Sequence, residues 1–126
     1  MITYVETSAA AKLLVEEEES ARLAAHLDGL DTPPVSCLVL ETELRRVAVR
    51  VDLPQAAVTA LLDRFDLLGT DRSLYREAGV LPGRHLRSLD ALHVAAALRW
   101  DADVILSYDQ RQLAAADAAG LRTLSL

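Results

Sequence analysis

The sequence contains few of the residues on which several classes of protein depend. Its 126 residues include one cysteine, Cys37, so the chain forms no internal disulfide and no zinc site built from several cysteines. Aromatic residues make up 4% of the chain, so the core must consist mainly of Leu, Val and Ala. Lys12 is the only lysine among 13 basic residues. The single cysteine lies in an apolar stretch, which favours a small core residue in a reducing environment over a nucleophile.

Long hydrophobic runs are also missing. No stretch approaches the ~20 apolar residues that a membrane-spanning helix requires. The N-terminus has no basic region, and Glu16–Glu19 interrupt the apolar residues that follow it. We therefore expect a cytoplasmic protein with no membrane partner. With 52% hydrophobic and 25% charged residues, the chain has enough apolar material for one domain over residues 1–126.

Positive charge is scarce, which bears on possible partners. The formal net charge is −6 and the pI is about 4.9. Modules that only bind nucleic acid tend to be basic, so the charge argues against that class. An acidic chain suits an enzyme whose carboxylates hold cations, or a protein with a basic partner.

Short apolar strands alternate with helices along the chain, which predicts an α/β fold with a mainly parallel sheet. The predicted strands are Ile2–Val5, Val35–Cys37, Asp66–Gly69, Val104–Leu106 and Thr123–Leu126. The predicted helices are Ala9–Val15 capped by Thr7 and Ser8, Glu17–Leu27 with an acidic first turn, Leu38–Val51, Gln55–Phe65, a short helix ending at Ala78, Leu89–Trp100 capped by Ser88, and Gln110–Ala119.

Four acidic residues stand within or beside apolar segments, where a carboxylate is expensive to bury unless it is paired or binds a metal. Glu6 and Asp109 each follow a predicted strand, while Glu43 and Asp90 lie on apolar helices. Each acid alone has an ordinary explanation as a helix cap, a first-turn residue or an exposed helical residue. Ligands of open parallel sheets bind beyond the carboxyl ends of the strands. If the two strands are neighbours, Glu6 and Asp109 therefore face one crevice.

The same acids lie in motifs that resemble a known family. Tyr4–Ala9 is similar to a V-D-T-S-A start, and Glu43–Arg46 to an E-L-x-R element. Leu86–Ala97 is close to R-x-L-D-A-x-H-x-A-x-A, and Leu106–Asp109 with Arg111 is similar to T-Y-D-x-R-L. Together the motifs resemble PIN-domain ribonucleases, specifically the VapC-type toxins of bacterial toxin–antitoxin pairs, over essentially the whole chain.

The resemblance implies a PIN-like three-layer sandwich with a short central sheet flanked by helices. It also implies a toxin that cleaves RNA with Mg²⁺ or Mn²⁺ held by Glu6, Glu43, Asp90 and Asp109. Hard divalent cations take oxygen ligands, and a bound metal can supply hydroxide near neutral pH to attack a phosphodiester. The expected partners are a cognate VapB-type antitoxin, an RNA substrate and a second copy of the chain.

Several further residues are candidates for supporting roles. Ser8 and Ser107 are possible hydrogen-bond partners of the carboxylates or of metal-bound water. We interpret His93, which shares a helix face with Asp90, as a buried structural residue, and Trp100 as a core or interface residue. Four arginines could contact phosphate, or could equally be surface residues or partners of the acids: Arg46, Arg84, Arg87 and Arg111.

Position 6 departs from the family pattern, which has Asp there. Glu6 carries the same charge on a side chain one methylene longer. It could bind metal with altered geometry, bind through water with reduced activity, or mark a site that has lost catalysis. The sequence therefore leaves a catalytically weakened or inactive module that binds its antitoxin as an alternative to the nuclease. A receiver-like phosphoacceptor domain is a third reading, which the absence of any lysine after Lys12 disfavours.

Overall fold

A computed structural model describes all 126 residues, and five short strands form one sheet at its centre. The strands are β1 (Thr3–Val5), β2 (Val35–Cys37), β3 (Asp66–Leu68), β4 (Val104–Leu106) and β5 (Arg122–Leu124). Their order across the sheet is β3-β2-β1-β4-β5, and every neighbouring pair is parallel. The predicted α/β class with a mainly parallel sheet is confirmed, and the sheet is in fact wholly parallel.

Seven helices connect and cover the strands. They are α1 (Thr7–Leu14), α2 (Ser20–Asp28), α3 (Val39–Arg50), α4 (Gln55–Leu62), α5 (Arg72–Gly79), α6 (Ser88–Arg99) and α7 (Gln110–Ala118). Arg87 occupies the N-cap of α6 without a side-chain hydrogen bond, so the predicted cap at Ser88 is wrong by one residue. None of the seven helices combines the length and the apolar character needed to span a bilayer.

The start of α2 differs from the prediction. The helix begins at Ser20, after the acidic run, and its first turn contains no acid. Glu17 and Glu19 instead form ion pairs with Lys12, and the Ser20 hydroxyl donates to the Lys12 carbonyl oxygen at 2.6 Å. These ion pairs with the only lysine hold the acidic segment in the connection between α1 and α2, outside either helix.

Side chains alternate across the sheet and form two apolar cores. On one face, Tyr4 and Ile105 pack with α5, α6 and α7, while on the other, Val5 and Leu106 pack with α1 to α4. This alternation is the expected two-residue period of a strand. Helix α6 is buried over seven consecutive residues, 91–97, as its apolar sequence predicts. Helices therefore cover both faces, which gives the three-layer arrangement.

The strand order reverses direction at β1, and this reversal positions the site. The chain proceeds outward from β1 through β2 to β3, then returns to place β4 on the other side of β1. Because β1 and β4 are neighbours and parallel, with Val5 opposite Leu106, the residues that follow both strands emerge together. A crevice at such a switch point is the usual ligand site of an open α/β sheet.

Gly120 ends the turn between α7 and β5 with φ = +91°, a conformation that L-residues rarely adopt. No atom lies within 4 Å of a Cβ built there, so only the backbone opposes a side chain. We expect Gly120→Ala to lower the free energy of unfolding by about 1–2 kcal/mol.

Gly79, the last residue of α5, is equally open but has no positive φ. Gly79→Ala should leave stability unchanged or raise it by up to about 1 kcal/mol in urea unfolding; equal effects of the two variants would contradict the argument.

Candidate active site

Glu6 follows β1 directly and is 3% exposed. Its Oε1 accepts hydrogen bonds from the Ser8 backbone N–H at 2.8 Å, from the Ser107 hydroxyl at 2.8 Å and from the Ser8 hydroxyl. It is therefore Glu6, rather than Thr7 or Ser8, that caps α1. Burial raises the pKa of the Glu6 carboxyl despite these donors. The longer side chain is folded back so that one of its oxygens is held by three protein groups.

Ser8 and Ser107 form a serine clamp around Glu6. Each hydroxyl also accepts a backbone N–H beyond β4: Tyr108 N–H reaches Ser8 Oγ at 2.8 Å, and Asp109 N–H reaches Ser107 Oγ at 3.0 Å. The two hydroxyl oxygens are 3.2 Å apart. The clamp thus connects the end of β1 to the segment after β4, and fixes Glu6 relative to the backbone of Asp109.

Glu43, on α3, is also held by one oxygen. Its Oε1 accepts from the Thr7 hydroxyl at 2.6 Å and from His93 Nε2 at 2.7 Å. Burial favours the neutral acid, but the hydrogen bond and charge of His93 outweigh it, so the pKa of Glu43 is lowered. Glu43 is therefore ionised over the whole physiological range.

His93 is fully buried on α6, as predicted, and both of its ring nitrogens have partners. Nε2 contacts Glu43, and Nδ1 lies 2.7 Å from the hydroxyl of Tyr4, which is itself fully buried in β1. Burial opposes the imidazolium, but the contacts with Cys37 and Glu43 outweigh it, so the pKa of His93 is raised. Sequence reasoning missed the roles of Tyr4 and Thr7, whose residue types carry no signal without knowledge of where α6 packs.

Asp90 lies in the first turn of α6, and no protein donor contacts its carboxylate. Burial raises its pKa, and the negative charges of Asp109 and Glu43 raise it further. The carboxylates of Asp109 and Glu43 therefore lie close enough to repel that of Asp90. The Gln112 side chain donates to the Asp90 backbone carbonyl at 3.2 Å and ties α7 to the start of α6.

Asp109 is the N-cap of α7. Its Oδ1 accepts the backbone N–H groups of Arg111 at 2.9 Å and Gln112 at 3.3 Å, while Oδ2 has no protein donor. These two bonds fix the start of the helix. They also leave the second oxygen of Asp109 available to a ligand.

The four acids share a property that bears on metal binding. In each, at least one carboxylate oxygen has no hydrogen-bond partner in the protein and is not among the fully buried, unpaired polar atoms. No three His, Cys, Asp or Glu side chains are spaced to ligate one ion as they stand. The donors are all hard oxygens, which is the ligand chemistry of Mg²⁺ and Mn²⁺, and Mg²⁺ usually retains several waters. The residues thus fit a hydrated divalent cation in donor type.

The candidate arginines differ in position. Arg87 precedes α6, and its charge lowers the pKa of Asp90 against the effects that raise it. Arg84 and Arg111 line a cavity of about 340 Å³ together with His85, and no acid lines it. Arg46 is exposed on α3 without an ion pair. Trp100, in contrast, packs against the core beside α6.

Comparison with known proteins agrees with this architecture. A model of the PIN domain matches residues 3–118. Ribonuclease VapC35 of Mycobacterium tuberculosis is 35% identical over 97% of this chain and 95% of its own, and Ribonuclease VapC47 of the same species is 33% identical with the same coverage.

Solved structures share the fold. Crystalline VapC20 of M. tuberculosis, a toxin that cleaves the sarcin–ricin loop, has a TM-score of 0.76 at 18% identity and matches 94% of this chain and 95% of its own. VapBC2 of Rickettsia felis, bound to a DNA fragment from its promoter, has a TM-score of 0.72 at 13% identity and matches 99% and 98%.

The chain therefore belongs to the PIN-domain family, and within it to the VapC toxins of toxin–antitoxin systems. The predicted resemblance and the PIN-like sandwich are both confirmed. Membership in this family excludes the receiver-like alternative.

The raised pKa of Asp90 predicts a pH-dependent effect of Asp90→Asn on stability. The native state holds the Asp90 proton more tightly than the unfolded chain does. The contribution of Asp90 to the free energy of unfolding is therefore fully present at pH values below the unfolded pKa. That contribution is lost as the pH rises from the pKa of Asp90 in the unfolded chain through its higher pKa in the folded protein. Asp90→Asn removes this loss. In EDTA, its melting temperature relative to wild type should therefore rise as the pH increases above about 4, the unfolded pKa of an aspartate.

Asp117→Asn is the matched control, because it removes the same charge from an exposed position on α7. It reports the effect of net charge alone. A melting-temperature difference for Asp90→Asn that stays constant with pH, or matches that of Asp117→Asn, would show that Asp90 is not strained by burial and by its acidic neighbours.

Proposed function

We propose that the protein is the toxin of a type II toxin–antitoxin pair and hydrolyses RNA phosphodiesters with Mg²⁺ or Mn²⁺. The observation that carries the proposal is the set of four carboxylates at the reversal of strand order, each with an oxygen free of protein donors. Glu6, Glu43, Asp90 and Asp109 would hold the cation. Repulsion among Asp90, Asp109 and Glu43 favours a divalent cation among them.

A cation bound there would lower the pKa of its water and neutralise charge on the phosphoryl oxygens. The chain supplies the rest of the arrangement. The serine clamp and the Thr7–His93 pair orient Glu6 and Glu43, while Asp109 is held by the N-terminus of α7. Water would attack the phosphorus, the P–O3′ bond would break and O3′ would leave with a proton, so the products should carry a 5′-phosphate and a 3′-hydroxyl. The ribose 2′-hydroxyl would not be the nucleophile.

The cavity lined by Arg84 and Arg111 supports an RNA substrate despite the acidic net charge. Neither guanidinium makes an ion pair, so both are available to phosphate oxygens. Arg111 follows Asp109 by two residues and donates its backbone N–H to the Asp109 carboxylate, which supports a cavity near the proposed cation. Arg87 at the start of α6 adds a third cationic side chain, whose charge acts to lower the pKa of Asp90, whereas Arg46 has no such connection to the acids.

The partners are also proposals. Solved neighbours of this fold include a toxin–antitoxin complex from Klebsiella pneumoniae and the VapBC2 assembly, which supports a VapB-type antitoxin as the partner of this chain. A homodimer is supported by large apolar side chains left exposed, among them Val49, Val51 and Val80.

Cleavage of RNA by the purified chain tests the nuclease. We expect Mn²⁺- or Mg²⁺-dependent cuts in total cellular RNA, abolished by EDTA, with 5′-phosphate ends detectable by ligation and sequencing. Asp90→Asn and Asp109→Asn should each lower the rate by about 100-fold or more, because catalysis depends on the placement of the cation. Asp117→Asn should retain the wild-type rate.

Two outcomes would contradict the proposal in different ways. No cleavage under any metal condition, together with tight binding of the antitoxin, would support the alternative of an inactive module. Cleavage that survives EDTA and Asp90→Asn would place the chemistry elsewhere. Expression of wild type and Asp90→Asn in a host without the antitoxin adds a second reading, since only wild type should arrest growth.

The serine clamp predicts the consequence of restoring Asp at position 6. Asp is one methylene shorter, so its carboxylate would not keep the bond to Ser107 at 2.8 Å while capping α1. We expect Glu6→Asp to lower the cleavage rate by about 10- to 100-fold, the usual effect of displacing a ligand from its supporting hydrogen bonds. The rate is measured under single-turnover conditions at saturating Mn²⁺.

Ser107→Ala is the companion variant, because it removes the Ser107 half of the clamp and leaves Glu6 unchanged. If Glu6→Asp and Ser107→Ala both lower the cleavage rate, the site is built around Glu6. A faster Glu6→Asp variant would mean that the extra methylene weakens an otherwise ordinary PIN site.

A further inference from the structure

His93 and Glu43 are joined in a buried chain of hydrogen bonds that crosses four elements. Tyr4 of β1 contacts Nδ1 of His93 on α6 at 2.7 Å, His93 Nε2 contacts Glu43 of α3 at 2.7 Å, and Thr7 of α1 donates to the same Glu43 oxygen at 2.6 Å. Tyr4 and His93 are both fully buried. Tyr4, His93, Glu43 and Thr7 together form the Tyr4–Glu43 relay.

The protonation pattern of the relay follows from its geometry. An ionised carboxylate only accepts hydrogen bonds, so His93 must carry its proton on Nε2 and donate it to Glu43. Nδ1 and the Tyr4 hydroxyl form the second hydrogen bond of the ring, at 2.7 Å. The ring is therefore held at both nitrogens and cannot turn away from Glu43 without losing two hydrogen bonds.

The relay restricts one of the two long carboxylate side chains of the site. Glu43 has three rotatable side-chain bonds and lies on the edge of a cavity of about 380 Å³, so space alone does not fix its carboxylate. Two donors hold Oε1, while no protein donor contacts Oε2. The relay therefore directs one oxygen inward and leaves the other for a ligand.

We propose that His93 is a positioning residue, which holds Glu43 through Nε2 so that its free oxygen is presented to the divalent cation. This inference rests on the proposed function. It assigns His93 a role in addition to core packing, and it makes Tyr4 the anchor that fixes the orientation of the ring. Supporting hydrogen bonds of this kind commonly change metal affinity by about 10- to 100-fold.

Two substitutions separate the polar role from the packing role. A Gln side chain places an amide nitrogen near the position of Nε2, so His93→Gln keeps a donor for Glu43. An Asn side chain reaches only the position of Nδ1, so His93→Asn loses that donor. Val94→Ala is the packing control, because Val94 is the next residue of α6 and is 1% exposed without any polar contact.

The experiment measures Mn²⁺ affinity by isothermal titration calorimetry on the folded, full-length variants. We expect His93→Asn to weaken binding by about 10-fold or more, and His93→Gln and Val94→Ala to stay within about 3-fold of wild type. A second readout needs no metal: the His93 Nε2–H proton should appear in long-range ¹H–¹⁵N spectra and shift or vanish in Glu43→Ala.

The outcomes distinguish the relay from the function on which it rests. If wild type binds Mn²⁺ and His93→Asn binds equally well, the positioning role is wrong and the nuclease stands. If Val94→Ala loses as much affinity as His93→Asn, the effect is packing and the proposal is again wrong. If wild type binds no Mn²⁺ and cleaves no RNA, the proposed metal site and the positioning role of the relay are both wrong.

Discussion

Crowding of negative charge at one edge of the sheet is the constraint on which the rest of this structure depends. Parallel strands of only three residues bring their carboxyl ends to the same edge. Asp90 shows the consequence, because its pKa is raised by burial and by the charges of Asp109 and Glu43. Nearby like charges disfavour ionisation unless donors or a cation offset them. The fold therefore has to supply hydrogen-bond donors to the very acids that it brings together.

The fold supplies these donors from segments distant in sequence. Glu6 is held by Ser107, about a hundred residues along the chain, and Glu43 by His93, fifty residues along. Both connections depend on β4 lying beside β1 and on α6 packing across the sheet from α3. The geometry of the site therefore depends directly on the order of the strands. Displacing α6 would remove the donor of Glu43 and move Asp90 in the same step.

The sequence predicts the strand ends and the acids beyond them because both are local signals. Val35–Cys37 and Val104–Leu106 are apolar runs bounded by turns, and the structure has strands over the same residues. The cap of α1 was not predictable in this way. Thr7 and Ser8 are the ordinary cap residues, yet Glu6 takes the position because Ser107 supplies a further donor from outside the helix. Pairings such as Tyr4 with His93 likewise depend on packing between elements, which local patterns do not encode.

The acids at the edge divide into two kinds, and the division bears on the unusual Glu6. Glu6 and Glu43, the longer side chains, are mostly buried and are each held at one oxygen by side-chain donors. Asp90 and Asp109, the shorter ones, lie at the starts of α6 and α7, and their carboxylates accept no hydrogen bond from a side chain. A long side chain needs more restraint to be placed reproducibly, since it loses more rotamer freedom. The serine clamp provides that restraint, so Glu at position 6 and its clamp are best understood as one adaptation, in which the extra methylene is compensated by donors from α1 and from the segment after β4.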